Sequence, residues 1–363
     1  MTRSSSRSGY ERIIINGEFC ARRLTGQERV ARELVLELDK LVEGDLPVSL
    51  VVPEYAQDVP ELNRIDVIRT GRVKGSLWEQ ICLAPYAVKR RAYCLNICSI
   101  APLCSEGSIF IHDICYKERP EYFTSFYARV SQAWHKIHFH YAWHRADSVY
   151  TVSEYSKNRM VEVYGVDPSK VTVVYPGWSY FESVVPDPEI SERFPALSEG
   201  GFYYSLGSLA PNKNLGWTMD AARRNKESLF VVAGGFNATA YGSLLEGGIP
   251  ENVLFVGYVS DGESKYLMQR CKAFILPSEY EGFGIPPLEA LSVGAQVIVS
   301  NVTCLPEVYE DAVHYIDPKN PEVDLDALLR EPVSPPDRVL AKCDYAKMAS
   351  NVYKDLITKV RTR

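Results

Sequence analysis

A chain of 363 residues with 46% hydrophobic and 24% charged residues exceeds one ordinary hydrophobic core and is expected to form two domains of roughly 150 to 200 residues. Its nine cysteines are odd in number and scattered through apolar runs, which points to reduced thiols and against a disulfide scaffold. The net charge of -6 divides into +2 over residues 1–180 and -8 over residues 181–363, so no basic nucleic-acid stripe stands out and only the first half suits an acidic surface.

Short β-branched runs alternate with helical patterns from end to end, the signature of parallel sheets built from βαβ units. In the first half, strands are expected at residues 12–15, 48–52, 65–69, 93–99, 108–111, 148–152 and 171–174, with helices at 27–42, 122–145 and 154–164. Residues 175–201, rich in Pro, Gly, Ser and acid, are expected to be a linker. Strands then resume at 202–206, 229–233, 253–256, 273–276 and 296–300, and residues 337–360 read as a helical tail that packs back on the first domain. The expected domains are residues 1–178, 179–336 and the tail 337–363. The fold class is α/β, two Rossmann-like doubly wound domains. Such sheets bind ligands at the carboxyl ends of their strands, so the two are expected to face each other across a cleft.

No apolar run is long enough to span a bilayer, and residues 1–8 are polar with no apolar stretch after them, so a cytoplasmic protein is expected. Lys89, Arg90 and Arg91 stand between Tyr86 and Tyr93. Aromatics beside cations suit the inner face of the plasma membrane, and a solvated helix end accounts for them equally well.

The chemistry concentrates where the strand at 273–276 runs into Glu281-Gly282-Phe283-Gly284-Ile285 and a helix opening with Pro286 and Pro287. Helix starts bind anions, and the two glycines allow backbone to approach a phosphate. Glu281 and Glu289 flank that site, and carboxylates accept hydrogen bonds from sugar hydroxyls. An isolated Gly-x-Gly turn with two solvated acids gives the same pattern. In the first half, Thr25-Gly26 with Arg29 opens a helix after a strand, and His112 follows another strand. Each reads as readily as an ordinary turn or a structural histidine. His135, His138, His140 and His144 crowd one helix without the Glu of a zinc motif, so a polar helix face is expected. Asp324 and Asp326 are expected on a solvated helix.

The run Glu281-Gly-Phe-Gly-Ile-Pro-Pro-Leu-Glu289-Ala resembles the signature of glycosyltransferase family 4, which has the two-Rossmann-domain (GT-B) architecture. The resemblance implies a retaining, metal-independent transfer of a hexose from a nucleoside diphosphate sugar to a saccharide or polyprenyl-linked acceptor, with no cofactor, in surface glycan assembly. The first donor it suggests is GDP-mannose, with UDP- and dTDP-sugars as alternatives. It further implies that Glu281 contacts the donor sugar, Glu289 holds the ribose and Lys213 neutralises the diphosphate. Gly282, Phe283, Gly284, Ile285, Ser208, Tyr258 and Gly26 would line the donor, Thr25 and Arg29 would lie on the acceptor side, and His112 would stand near the transferred sugar. The family's usual second cation is absent, since Ser208 and Asn212 stand where that Arg most often does. A non-catalytic nucleotide-sugar-binding subunit is therefore the rival reading.

Overall fold

The computed structural model describes residues 9–44, 46–207, 210–235 and 248–362. The chain divides into two compact units, one comprising Met1–Pro176 with Tyr345–Arg363 and the other Gly177–Asp344.

In the first unit, seven strands lie in the order β3-β2-β1-β4-β5-β6-β7. They are β1 (Arg12–Asn16), β2 (Val48–Val52), β3 (Asp66–Arg69), β4 (Ala92–Asn96), β5 (Gly107–Phe110), β6 (Ser148–Thr151) and β7 (Val171–Val173). Every pairing is parallel. The central strands β1, β2 and β4 are buried along their whole length apart from Arg12, which is why they read as continuous apolar runs. The second unit repeats the pattern with six parallel strands ordered β10-β9-β8-β11-β12-β13. These are β8 (Tyr203–Leu206), β9 (Phe230–Ala233), β10 (Val253–Gly257), β11 (Ala273–Leu276), β12 (Val297–Ser300) and β13 (His314–Ile316).

Strand order reverses between β1 and β4 in one sheet and between β8 and β11 in the other. Doubly wound sheets bind ligands at the carboxyl ends of the strands at such switch points. The loop after β1 leads to Thr25, and the loop after β4 opens with Ile97, whose carbonyl His112 contacts; those after β8 and β11 lead to Lys213 and Glu281. Gly17, directly after β1, has a packing reason for lacking a side chain. A Cβ there would lie 2.5 Å from Val52 Cγ1 and 2.6 Å from the Val51 carbonyl.

Four expectations need correction. Residues 175–201 are not a bare linker: they form 3-10 turns at Ser179–Ser183 and Pro195–Leu197 and a short helix at Glu189–Arg193, within the second unit. Phe181, Ile190 and Leu197 are fully buried and pin that proline-rich path. The tail is two helices, Asp337–Lys342 and Tyr345–Arg361. The second packs along helix Gly26–Leu41, and its Asp355 accepts hydrogen bonds from Ser148 Oγ (2.7 Å) and Tyr150 Oη (2.6 Å).

The histidine helix, Phe126–His144, is polar only in part. His138 is fully buried and its Nδ1 accepts from the Ala101 amide at 3.2 Å, and His135 stacks on Tyr116 at 4.1 Å. Burial pushes both imidazoles down to about 4, which keeps them neutral. His140 and His144 are exposed. Tyr93 is fully buried in β4, so the aromatic beside the basic cluster is Tyr86, with the Arg90 guanidinium 3.8 Å above its ring. Asp324 caps helix Leu325–Leu328, and Asp326 is tied to Lys272 Nζ and Tyr203 Oη, each at 2.5 Å.

Candidate active site

The loop after β11 is held from below by side chains that the sequence pattern did not single out. Cys304 Sγ lies 3.3 Å from the Glu281 carbonyl and 3.4 Å from that of Phe283. Burial holds its thiol well above the usual range, so it stays an S–H donor. Tyr309 Oη donates to the Gly284 carbonyl. Gly284 sits at φ +88°, and a Cβ there would lie 3.0 Å from Leu305 Cδ2. Only glycine takes that backbone without strain. The chain then enters helix Ile285–Ser292. Pro286 and Pro287 carry no N–H, so of the first amides of this helix only those of Gly284 and Ile285 have a hydrogen to donate.

The segment after β8 is stitched against the same loop. Asn212 Nδ2 donates to the Tyr280 carbonyl at 2.9 Å, the Glu279 amide donates to the Asn212 carbonyl at 2.8 Å, and Asn214 Nδ2 donates to the carbonyls of Pro277 (3.0 Å) and Pro318 (2.8 Å). Asn214 is left-handed, at φ +53°. The outcome is to set Lys213 Nζ 2.7 Å from Glu281 Oε1 in a half-buried ion pair. Asn212, the position where a second cation is usual, thus has a structural contact instead. Glu289, one turn into the helix, accepts from Tyr180 Oη, whose turn Ser179–Ser183 comes from the stretch expected to be a linker.

Lys213, Glu281, Gly282, Phe283, Gly284, Ile285 and Glu289 are therefore brought together. Tyr258 stands just past β10 and is 62% exposed, lying over Gly235, where a Cβ would meet its hydroxyl at 2.4 Å. Ser208 lies outside the described residues.

In the first unit, Thr25 and Gly26 are exposed at the start of helix Gly26–Leu41, with Thr25 Oγ1 donating to Glu28, and Arg29 lies 3.6 Å from Glu33. His112 is buried two residues past β5. Its Nε2 lies 2.8 Å from the Ile97 carbonyl and must donate there, which leaves Nδ1 as an acceptor. Burial lowers its pKa, so the ring is neutral near pH 7. The next thiol, Cys98, points at the Gln27 carbonyl at 3.8 Å, linking the loop after β4 to the helix start. Beside them, Arg22 gathers three acids that sequence reading passed over. It pairs with Glu18 and lies 3.8 Å from Glu28 and 3.6 Å from Glu79. Glu79 is fully buried, and desolvation reinforced by Glu18 pushes its carboxyl up to about 8. Glu18 and Arg22 line a pocket of about 560 Å³ with Tyr55, Tyr116, Ser131 and His135. Among the described residues, no group of three His, Cys, Asp or Glu is placed to hold a metal ion.

Two doubly wound parallel sheets, each with a loop cluster at its switch point, are the architecture of the GT-B fold. Solved structures share the fold: sucrose-phosphate synthase from Thermosynechococcus elongatus (TM-score 0.70, 15% identity, 96% of this chain and 100% of that one) and HepE of Anabaena in complex with UDP and glucose (TM-score 0.68, 15% identity, 96% and 100%). The matching family models support a glycosyltransferase of the family 4 type. The model described as Glycosyltransferase Family 4 matches residues 109–179, and that described as Glycosyl transferases group 1 matches residues 187–331. Among curated relatives, O-antigen chain mannosyltransferase B of Escherichia coli is 29% identical over 231 residues, covering 60% of this chain and 58% of that protein. The match thus spans little more than half of the relative's length.

Proposed function

We propose that this glycosyltransferase is retaining and metal-independent and moves a hexose from a nucleoside diphosphate sugar to a saccharide or lipid-linked acceptor in surface polysaccharide assembly. The observation that carries the reading is the Lys213–Glu281 pair set against the Gly284 turn. An ammonium has three N–H donors, and one serves Glu281. Donor binding would turn Lys213 toward the diphosphate and free the Glu281 carboxylate for sugar hydroxyls. Glu289 would hold the ribose, and Tyr258 would lie against the base.

The bond from the anomeric carbon to the leaving phosphate oxygen breaks and a bond to the acceptor oxygen forms on the same face. The acceptor's proton passes to the departing diphosphate. Lys213, with the amides of Gly284 and Ile285, would stabilise that departing charge. On the first unit, His112 would accept a sugar hydroxyl at Nδ1, and Thr25 and Arg29 would serve the acceptor. The name of the Escherichia coli relative makes mannose, as GDP-mannose, the first donor to test. UDP- and dTDP-sugars follow, and the cytoplasmic face of a membrane is the proposed place of action.

The test is a donor screen by thermal shift, since a ligand that binds only the native state raises the melting temperature. Transfer by the donor found is then assayed in EDTA. Activity that survives EDTA supports the reading; activity lost to EDTA and restored by Mn²⁺ or Mg²⁺ contradicts it. Donor binding without turnover across an acceptor panel would instead favour a non-catalytic subunit, the reading that the missing second cation raises.

A further inference from the structure

Three side chains beneath the loop after β11 come from one short segment. Cys304, Leu305 and Tyr309 are each fully buried, and Leu305–Tyr309 is a short helix with Cys304 directly before it. Leu305 supplies only packing, its Cδ2 lying 3.0 Å from where a Cβ on Gly284 would stand. The other two carry polar groups sealed from solvent, and so from any ligand. A phenylalanine would fill nearly the same space as Tyr309 without the cost of desolvating a hydroxyl. That hydroxyl is instead donated to the Gly284 carbonyl. Cys304 is the same case in sulfur: its S–H faces the carbonyls of Glu281 (3.3 Å) and Phe283 (3.4 Å), and its single proton is shared between them.

What these contacts orient follows from the peptide bond. Every peptide among the described residues is trans, so each C=O and the next residue's N–H point in opposite directions from one plane. A donor on the carbonyl therefore fixes where that N–H points and, by polarising the peptide, makes its hydrogen more positive. Holding the Phe283 carbonyl aims the Gly284 amide, and holding the Gly284 carbonyl aims the Ile285 amide, both away from the buried segment. These are the two amides that Pro286 and Pro287 leave with a hydrogen at the start of helix Ile285–Ser292. Each of them thus has its own buried donor behind it.

We propose that Cys304 and Tyr309 are positioning residues for a phosphate group, acting through the Gly284 and Ile285 amides without touching it. That the phosphate belongs to a sugar donor rests on the function proposed above; the aim of the two amides does not. The probe is inorganic pyrophosphate, titrated into the 363-residue chain labelled with ¹⁵N at glycine and isoleucine and followed by NMR. In the parent, pyrophosphate should shift the Gly284 and Ile285 amide resonances. Tyr309→Phe should displace the ligand-free Ile285 resonance more than that of Gly284, and Cys304→Ala should do the reverse. Loss of a preorganised donor outright costs roughly 10²- to 10³-fold, so each of these substitutions, acting through one donor, should weaken pyrophosphate binding by less, about tenfold. Cys304→Ser, which keeps a donor, should recover most of that affinity.

Variants that fold by circular dichroism and bind pyrophosphate like the parent overturn the proposal, as does a parent whose Gly284 and Ile285 resonances ignore it. So does displacement of both resonances alike in either variant, the mark of a loop that has only loosened. Sugar transfer is measured alongside. A parent that binds pyrophosphate at these amides but transfers no sugar removes only the proposed reaction, and one whose transfer is indifferent to both substitutions removes only the positioning.

Discussion

Lys213 is the residue on which the proposed chemistry depends most, because its surroundings offer few substitutes. Pro286 and Pro287 remove two amide donors from the neighbouring helix start, and Asn212 occupies the position of the usual second cation with a hydrogen bond to Tyr280. Lys213→Ala should therefore lower kcat/KM by about 3 to 4 kcal/mol in the transition state, roughly 10²- to 10³-fold, with the fold checked by circular dichroism. Steady-state kinetics at parental rates would remove Lys213 from the site. Glu281→Gln should act in two directions, because Glu281 shares the ammonium. Turnover should fall, while free nucleoside diphosphate should bind more tightly by roughly 0.5 to 1 kcal/mol, the worth of a part-exposed ion pair that no longer competes. Calorimetry reads the second effect, and weaker diphosphate binding would show that Glu281 positions Lys213 more than it competes for it. Asn212→Arg is a poor way to supply the missing cation, since it breaks the contact that holds the loop.

At the scale of elements, helix Tyr345–Arg361 is fastened to the first sheet by Asp355, which accepts from Ser148 and Tyr150. Asp355→Ala leaves the buried Tyr150 hydroxyl without that acceptor and should cost about 1.5 to 3 kcal/mol. The loss should appear as a lower Tm and faster amide exchange along that helix; unchanged exchange would mean that its apolar face alone holds it. The helical run beginning at Glu79 carries a different sensitivity. Its carboxyl is raised by burial from 4.5 to about 8, so the folded state binds that proton more tightly than the unfolded chain does. The resulting stability is fully present below pH 4.5 and is lost as pH rises toward 8. Glu79→Gln should flatten this decline, and a Tm-against-pH profile identical to the parent's would contradict the assignment.

The strands were legible in the sequence because their β-branched runs are local. The strand β13 and the run at Glu79–Lys89 were not, the first having Ile316 as its one β-branched residue and the second being interrupted by Pro85. The candidate site was legible only in part for a related reason. Glu281, Gly284 and Glu289 lie close together in one motif, but Tyr180 is 109 residues from Glu289, and Lys213 is 68 from Glu281. Such pairs leave no periodic trace and exist only once the loops after β8 and β11 are folded against each other.

For the whole molecule, two repeated doubly wound units account for the order of nearly every described element. We propose that this architecture carries a retaining hexosyl transfer from a nucleoside diphosphate sugar. The most direct measurement is the anomeric configuration of the product, read by the one-bond carbon–hydrogen coupling in NMR. The reaction would use the 363-residue chain in EDTA, the donor found by the thermal-shift screen and a saccharide acceptor. Release of one nucleoside diphosphate per glycoside formed and the same anomeric configuration in product and donor are expected. A product of inverted configuration, or a donor consumed only by hydrolysis, would contradict it.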